Sequence, residues 1–342
     1  MSQHQPTRRT FIKLAGWTIL QGAALTGTAC RTQAAPAKSR APVTLKRPLS
    51  PQAFKEHLAG PILSLPTTFH ADLSVNTQAV RNMVERAMGY GVPVAALTAG
   101  NSKYACLSYE EIKEVTAAMT SAVQGRALTI AATGDWPTQQ VIDYAHFAQA
   151  QGADALQIML PKNLKTEDEQ FEHFRQIADQ TSLPLGLHGI YSVPLLRRLV
   201  QIESIVAMKE DTELTYYIDR MIEFGGRLEI FAGGAENRYL VGYPYGARAF
   251  YATYTGFAPD KPMMFWEAIR ADDLPRAVAI TKQYDYPFIR RFSHPFWHAT
   301  LEYFGLAQRY MRPPFETWPE AKMPEIKAFF DEQGIRPADY ST

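Results

Sequence analysis

The feature of this sequence that most constrains its fold is a regular alternation of short apolar runs with longer amphipathic segments. The runs have the apolar, often β-branched composition of buried strands in a parallel sheet. Eight strands are predicted on this basis: Pro61–Pro66, Val92–Thr98, Ala127–Ala132, Ala155–Leu160, Leu183–His188, Ser204–Lys209, Leu228–Ala232 and Ala247–Thr253. Eight strand–helix units within about 210 residues predict a (β/α)8 TIM barrel in the α/β class. The alternative, a doubly wound sheet, lacks a glycine-rich dinucleotide loop after the first strand.

Helix signals between and beyond the strands set the domain boundaries. Ser108, followed three residues later by Glu111, forms a capping-box pattern that predicts a helix over Tyr109–Val123. Further along the chain the strand runs stop and three helical patterns follow. We therefore expect the barrel to occupy residues 51–271 and a helical C-terminal extension to occupy residues 272–342.

Charge is unevenly distributed along the chain. There are 35 Lys and Arg against 34 Asp and Glu, a formal net charge of +1, yet residues 1–50 hold eight basic side chains and no acidic one. The other 292 residues carry 27 basic and 34 acidic side chains. This acidic body argues against a nucleic-acid-binding protein, which needs a clustered basic face. Two cysteines, Cys30 and Cys106, are too few for a disulfide framework or a Cys-rich zinc site.

The basic head contains an export motif. Residues 7–13 read Thr-Arg-Arg-Thr-Phe-Ile-Lys and precede an uncharged, weakly apolar stretch. This segment resembles the twin-arginine signal Ser/Thr-Arg-Arg-x-Phe-Leu-Lys. We expect residues 1–37 to be an export signal used by the twin-arginine translocase, residues 38–50 to be a linker, and the protein to be periplasmic or secreted. A membrane anchor helix is the alternative; a lipoprotein through Cys30 is disfavoured because the leucine three residues before the cysteine is missing.

One lysine occupies the position where a barrel carries out chemistry, the carboxyl end of a strand. Lys209 ends the sixth predicted strand directly after an apolar run. Poor solvation disfavours an ammonium group and lowers its pKa, which frees the amine to attack a carbonyl and form a Schiff base. The alternative is a lysine whose charged end reaches solvent at the rim.

Several segments agree in order and spacing with one known family. Ile205–Asp211 is similar to its Ile-Val-Gly-Ile-Lys-Glu-Ala segment, and Leu107–Glu111 to its Leu-Ser-x-Glu-Glu. Pro66–Phe69, Gly246–Pro259 and Arg312–Pro314 resemble its Thr-Pro-Phe, eighth-strand and Arg-Pro-Pro segments. The chain is thus identified, over about residues 58–335, as resembling the dihydrodipicolinate synthase and N-acetylneuraminate lyase family. The resemblance implies a Schiff-base aldolase or dehydratase acting on a 2-keto acid, without a metal or other cofactor and usually as a tetramer.

The resemblance also assigns the site residues. It makes Lys209 the Schiff-base lysine, with Gly233 and Gly234 in the small-residue turn beside it and Tyr251 on the eighth strand close to it. Asn101 and Ser102 fall in the loop that binds the keto-acid carboxylate, and both can donate hydrogen bonds there. Lys103 and Lys162 are expected at the pocket rim.

Departures from the family concern proton transfer. The two threonines of the loop after the second strand are replaced by Gly100 and Asn101. The tyrosine that ends the fifth strand is replaced by His188, which can move protons near neutral pH; Tyr191 is the other candidate for this role. The loop after the fifth strand is shorter by about seven residues and lacks the carboxylate-binding arginine, so lysine biosynthesis is disfavoured.

These observations predict an exported class I lyase that acts on a 2-keto acid, with sugar-derived acids among the candidates. The alternative is a small-molecule binding protein or pseudoenzyme on an inherited barrel, which the replaced threonines and tyrosine favour. His294 and His298 have i, i+4 spacing but no acidic ligand nearby, so packing is expected there and no metal. A homotetramer or homodimer is expected from the resemblance.

Overall fold

The structure, a computed structural model, describes residues 47–340. Eight parallel strands close into a barrel in sequence order, with β8 paired to β1. The strands are β1 Gly60–Ser64, β2 Val94–Ala96, β3 Leu128–Ala132, β4 Ala155–Met159, β5 Leu185–His188, β6 Ile205–Glu210, β7 Glu229–Ala232 and β8 Ala249–Ala252. Each strand overlaps its predicted run, so the predicted (β/α)8 barrel with C-terminal helices is confirmed.

The helices follow the strands as a TIM barrel requires: α1 precedes β1, α2 to α9 each follow one strand, and α10 to α13 form the C-terminal extension. The capping box at Ser108 and Glu111 is present at the start of α3. The helices are α1 Pro51–His57, α2 Thr77–Gly89, α3 Tyr109–Val123, α4 Thr138–Ala150, α5 Glu167–Gln180, α6 Val193–Leu199, α7 Leu214–Phe224, α8 Glu236–Gly242, α9 Asp260–Arg270, α10 Leu274–Ile280, α11 Tyr286–Arg291, α12 His294–Tyr303 and α13 Met323–Gln333.

Side-chain alternation along the strands divides the apolar residues into two cores. One core lies between the strands and the surrounding helices and includes Met208. The other fills the barrel interior and includes Ile62, Val94 and Val206. Phe54 of α1 belongs to the interior core and is 1% exposed. Helix α1 therefore closes the amino-terminal end of the barrel.

The segment before α1 is fixed to the same end of the barrel. Arg47 Nε donates to Asp154 Oδ1 at 2.6 Å, and its Nη2 donates to the Ala127 carbonyl at 2.9 Å. Both acceptors lie just before strands β3 and β4, so Arg47 ties the start of the described chain to the barrel. The predicted export signal over residues 1–37, with Cys30, and linker residues 38–46 lie outside the described residues.

Within the C-terminal extension, a π-helical turn, Thr281–Asp285, separates α10 from α11 and contacts the barrel. The Asp285 carboxylate accepts the backbone N–H groups of Glu236 and Asn237 at the start of α8. The Glu236 carboxyl is buried and accepts a hydrogen bond from Thr281 Oγ1 at 3.4 Å. Burial raises the pKa of both carboxyls, that of Asp285 to about 7. The contact between the π-helical turn and the start of α8 therefore contains a protonated carboxyl.

Aromatic packing forms the rest of this junction. Phe257, which follows β8, has its ring centroid 5.6 Å from that of Phe288 in α11 and 5.7 Å from that of Phe330 in α13. All three rings are buried, so the extension shares the outer core of the barrel. Within the described residues, no helix combines the length and the apolar character needed to cross a bilayer.

Candidate active site

Two neighbouring strand ends bring a lysine and a histidine together. The register of β5 and β6 pairs His188 with Lys209. Because side chains alternate along β6, Met208 faces the surrounding helices and Lys209 faces the barrel interior. Lys209 is 7% exposed, and its Nζ lies 3.0 Å from His188 Nε2. Lys209 thus points into the barrel mouth and not outward to solvent at the rim.

Asp211 completes this cluster, although the sequence did not single it out. It follows the last residue of β6, forms an ion pair with Lys209 Nζ, and places Oδ2 3.5 Å from His188 Nε2. Its side chain is 40% exposed and so reaches the cavity from the edge of the barrel. The available signal was an acidic residue two positions after a strand-end lysine, where the resembled family has alanine.

Burial and the three-way contact set the protonation of the cluster. Burial lowers the pKa of Lys209, while the Asp211 carboxylate opposes this change by favouring the ammonium. Burial also lowers the pKa of His188, and the Lys209 charge adds to the effect. For Asp211, burial alone would raise the pKa, but the contact with His188 and the Lys209 charge outweigh it and hold the pKa well below its usual value. A neutral imidazole therefore lies beside an amine that loses its proton more readily than an exposed lysine.

The cluster lines a cavity of about 330 Å³ at the carboxyl end of the barrel. Ser64 at the end of β1 and Thr253 just after β8 also line it. A volume at the lower end of the range for small-molecule pockets suits a ligand of a few carbon atoms.

The loop after β2 presents one of its two predicted polar side chains to the cavity. Asn101 lines the cavity with Gly100, and its Nδ2 donates to Ser64 Oγ at 2.8 Å. Ser102 is fully buried, does not line the cavity, and donates through Oγ to the Leu65 carbonyl at 2.7 Å. Asn101 is therefore available to a ligand, whereas Ser102 fixes the loop against β1.

The Gly233-Gly234 turn allows the lysine and the aspartate to approach the backbone. A Cβ at Gly233 would lie 2.7 Å from Asp211 Cβ and 3.1 Å from Lys209 Nζ, so any larger residue would displace the cluster. Gly234 lines the cavity and has φ +95°, a conformation that favours glycine.

The two predicted tyrosines have different surroundings. Tyr251 lines the cavity, with its ring centroid 5.6 Å from Lys209 Nζ and its hydroxyl 3.4 Å from Gln157 Oε1. Tyr191 is 1% exposed, does not line the cavity, and directs its hydroxyl to the His188 carbonyl at 3.4 Å. The structure thus places His188, and not Tyr191, next to the lysine.

Lys103 does not lie at the rim as the sequence suggested; it is fully buried. Its left-handed backbone, φ 62°, is compatible with a side chain directed into the protein, where Nζ donates to the Asn101 carbonyl at 2.8 Å. Nζ also lies 2.9 Å from His294 Nδ1 and over the ring of Trp297. Burial lowers its pKa to about 7. From its buried position, Lys103 therefore supports the loop that carries Asn101.

The C-terminal extension contributes side chains that sequence reasoning missed. Ile289 of α11 and Phe292, directly after α11, line the cavity. No local pattern marks them as site residues, because apolar positions on an extension helix are read as core. Their placement depends on how α11 docks beside the loop after β7.

A metal centre has no ligand set in the described part of the chain, where no group of three His, Cys, Asp or Glu side chains converges. His298 is fully buried, and burial lowers its pKa well below the usual value, which suits packing in α12.

With this geometry established, comparison with known proteins identifies related sequences. Residues 57–333 match the family model described as the dihydrodipicolinate synthetase family. The chain is 26% identical to the 4-hydroxy-tetrahydrodipicolinate synthase of Streptococcus gordonii over 281 residues, 78% of the chain and 90% of that protein. It is 26% identical to the "Probable 5-dehydro-4-deoxyglucarate dehydratase" of Xanthobacter autotrophicus over 253 residues, 70% of the chain and 83% of that protein.

Other matches are shorter or structural. With the 4-hydroxy-tetrahydrodipicolinate synthase of Anaplasma marginale (strain Florida), the chain is 29% identical over 163 residues, 45% of the chain, and the match spans about half of that relative, 54%. Among solved structures, the dihydrodipicolinate synthase of Bacillus clausii superposes with a TM-score of 0.75 at 21% identity, covering 82% of this chain and 100% of the other. That likeness shows the shared barrel fold.

Proposed function

The chain belongs to the dihydrodipicolinate synthetase family, and we propose that it is a class I lyase, an aldolase or a dehydratase, that binds a 2-keto acid as a Schiff base on Lys209. The observation that carries the proposal is the position of Lys209 Nζ, inside the barrel mouth, 3.0 Å from His188 Nε2 and paired with Asp211.

The chemistry begins at the lysine. The neutral amine of Lys209 attacks the C2 carbonyl of the keto acid, one proton is taken up from solvent, water leaves, and a protonated imine remains. The imine accepts the electron pair released when a proton or a carbon group leaves C3, so no metal is required in this step. The lowered pKa of Lys209 increases the fraction of neutral amine, and Gly233 leaves room for the adduct.

His188 is the proton-transfer group in this proposal. Its Nε2 lies close enough to the lysine nitrogen to reach the atoms next to an imine. Its lowered pKa keeps the imidazole neutral near pH 7, so it accepts a proton, and Asp211 stabilises the imidazolium that forms. The pair His188 and Asp211 thus takes the role that the resemblance assigns to a tyrosine.

Borohydride trapping tests the Schiff base. The full chain is incubated with pyruvate and borohydride, and the covalent adduct is read by intact mass and mapped to a peptide. We expect an adduct on Lys209 that is lost in Lys209→Ala and retained in Lys162→Ala, an exposed lysine of the β4–α5 loop. An adduct that survives Lys209→Ala contradicts the proposal. An adduct on Lys103 would do the same, since burial lowers the pKa of that amine to about 7.

A binding protein is the second candidate, favoured by the absence of a tyrosine hydroxyl at the end of β5. It predicts trapping without turnover. Exchange of the C3 hydrogens of pyruvate into deuterated water separates the two, because only a catalytic site removes the C3 proton repeatedly. Exchange in the native protein that is lost in Lys209→Ala supports the lyase.

Export through the twin-arginine translocase is a further part of the proposal, supported by the motif at residues 7–13. Replacing both Arg8 and Arg9 by lysine should abolish accumulation of the folded protein in the periplasm. The matched control is Arg31→Lys, which lies within the same segment but outside the motif. Unchanged localisation of the double variant would contradict export by this route.

A further inference from the structure

The cavity has two chemically different parts. Its polar part includes Lys209, His188, Asp211 and Asn101. Part of its remaining wall comes from Ile289 and Phe292 of the C-terminal extension, next to Ala235. A keto acid attached to Lys209 would place its C1 carboxylate and C2 in the polar part, which leaves the apolar wall for the distal end of the molecule.

Positive charge is confined to the lysine itself. Among the described residues that line the cavity, Lys209 is the only Lys or Arg, and Schiff-base formation would use its amine. Arg290 and Arg291, between Ile289 and Phe292 in the sequence, are exposed but do not line the cavity, and their guanidinium groups lie over the rings of Tyr286 and Phe329. Two further cations are engaged elsewhere. Lys103 is fully buried against the Asn101 carbonyl and His294, and Arg238 donates to the Thr212 carbonyl at 2.7 Å.

Negative charge, by contrast, is present. The Asp211 carboxylate lines the cavity, and its pKa is held low, so it is ionised at neutral pH. A second carboxylate on the distal end of a substrate would meet Asp211 or the apolar side chains of Ile289 and Phe292, and none of the described lining residues other than Lys209 is an arginine or a lysine. An unpaired charge in such surroundings is strongly disfavoured, and a site that repels one class of ligand is selective against it.

From this arrangement, and resting on the proposed Schiff base, we infer that the site selects 2-keto acids whose distal end is uncharged and predominantly apolar, with Phe292 and Ile289 as the specificity-determining residues. For the aldol direction, the acceptor is then a neutral aldehyde. The Lys209–pyruvate enamine attacks the aldehyde carbon and forms the C3–C4 bond, and the aldehyde oxygen takes up a proton. Water then hydrolyses the imine, which releases a 4-hydroxy-2-keto acid and the free lysine.

The inference is tested by imine formation alone, which does not depend on whether the enzyme is an aldolase or a dehydratase. Borohydride trapping is titrated with pyruvate as reference, with 2-oxohexanoate, and with 2-oxoadipate, which has the same chain length but a second carboxylate. We expect 2-oxohexanoate to reach half-maximal trapping at a concentration about tenfold or more below that of 2-oxoadipate.

Phe292→Arg should reduce or reverse this preference, and Ile289→Lys provides a second variant in case the first does not fold. Tyr286→Arg, half-exposed on the same helix and outside the cavity, is the matched control and should leave the preference unchanged.

The outcomes separate the two proposals. If pyruvate is trapped but 2-oxoadipate binds as well as 2-oxohexanoate, the Schiff base stands and the selectivity is refuted. A preference that persists in folded Phe292→Arg and Ile289→Lys proteins refutes the role of the extension. If pyruvate gives no adduct, the Schiff-base function fails and this inference fails with it.

Discussion

Asp211→Asn removes one charge from the cluster and leaves its shape almost unchanged. The Asp211 carboxylate favours the ammonium form of Lys209, so its loss lets burial lower the pKa of the amine further. An opposite charge in contact shifts a pKa by about 1–3. Because the Asp211 side chain is 40% exposed, solvent screening places the effect at the lower end. We expect the pKa of Lys209 to fall by about 1, equivalent to about 1.4 kcal/mol.

The assay is the rate of pyruvate adduct formation with cyanoborohydride between about pH 5 and about pH 9, where imine formation requires the neutral amine. The acid limb of the profile should move to lower pH by about 1, so that the variant forms the adduct up to about tenfold faster on that limb. Turnover should nevertheless fall, because His188 loses its partner. Asp219→Asn, an exposed position on α7, is the control. An unchanged profile, or a limb that moves to higher pH, would refute the assigned role of Asp211.

Three further predictions test the site and its support. His188→Asn should retain borohydride trapping of pyruvate but slow C3 hydrogen exchange by about 10²–10⁴-fold, measured by NMR; an unaffected exchange rate would assign proton transfer to another group. Phe54→Ala should lower the free energy of unfolding by about 3–5 kcal/mol in urea titrations, because it opens a cavity in the closed end of the barrel; a change below about 1 kcal/mol would mean that α1 is not part of the cooperative unit. Burial raises the pKa of Glu236 and Asp285 in the native state above their unfolded values of about 4. The native state therefore binds more protons than the unfolded state, and the free energy of unfolding falls as pH rises from about 4 to about 7. In Glu236→Gln, the fall in the free energy of unfolding between about pH 5 and about pH 8 should be smaller than in the native protein by about 1.4 kcal/mol or more. An equally large fall in both proteins would contradict a protonated Glu236 carboxyl.

The barrel could be predicted from the sequence because the patterns that indicate its strands and helices are local. Apolar runs such as Ser204–Lys209 and the capping box at Ser108 each report on their own segment, and eight repeats leave few alternative folds. The position of Lys209 followed from the same logic, since strand ends in this fold meet at one face.

The remaining parts of the site depend on contacts between distant segments. Asp211 is only two residues from Lys209, but its place in the cluster also depends on the contact with His188 on the neighbouring strand β5, and Ile289 and Phe292 reach the cavity because α11 docks on the barrel. Neither contact between strands or helices leaves a periodic signal. Lys103 was placed at the rim because lysines usually are, but its left-handed backbone and the His294 contact hold it inside.

The π-helical turn between α10 and α11 has a consequence for how this cavity is shaped. A π turn contains one residue more than an α turn, and it accommodates that residue while the helices on either side keep α geometry. Thr281 and Asp285, at the two ends of this turn, contact the start of α8, and Ile289 follows only four residues after Asp285. The contact of the π turn with α8 therefore determines where Ile289 and Phe292 enter the cavity, and relatives with a different turn there are expected to differ in the ligand they accept.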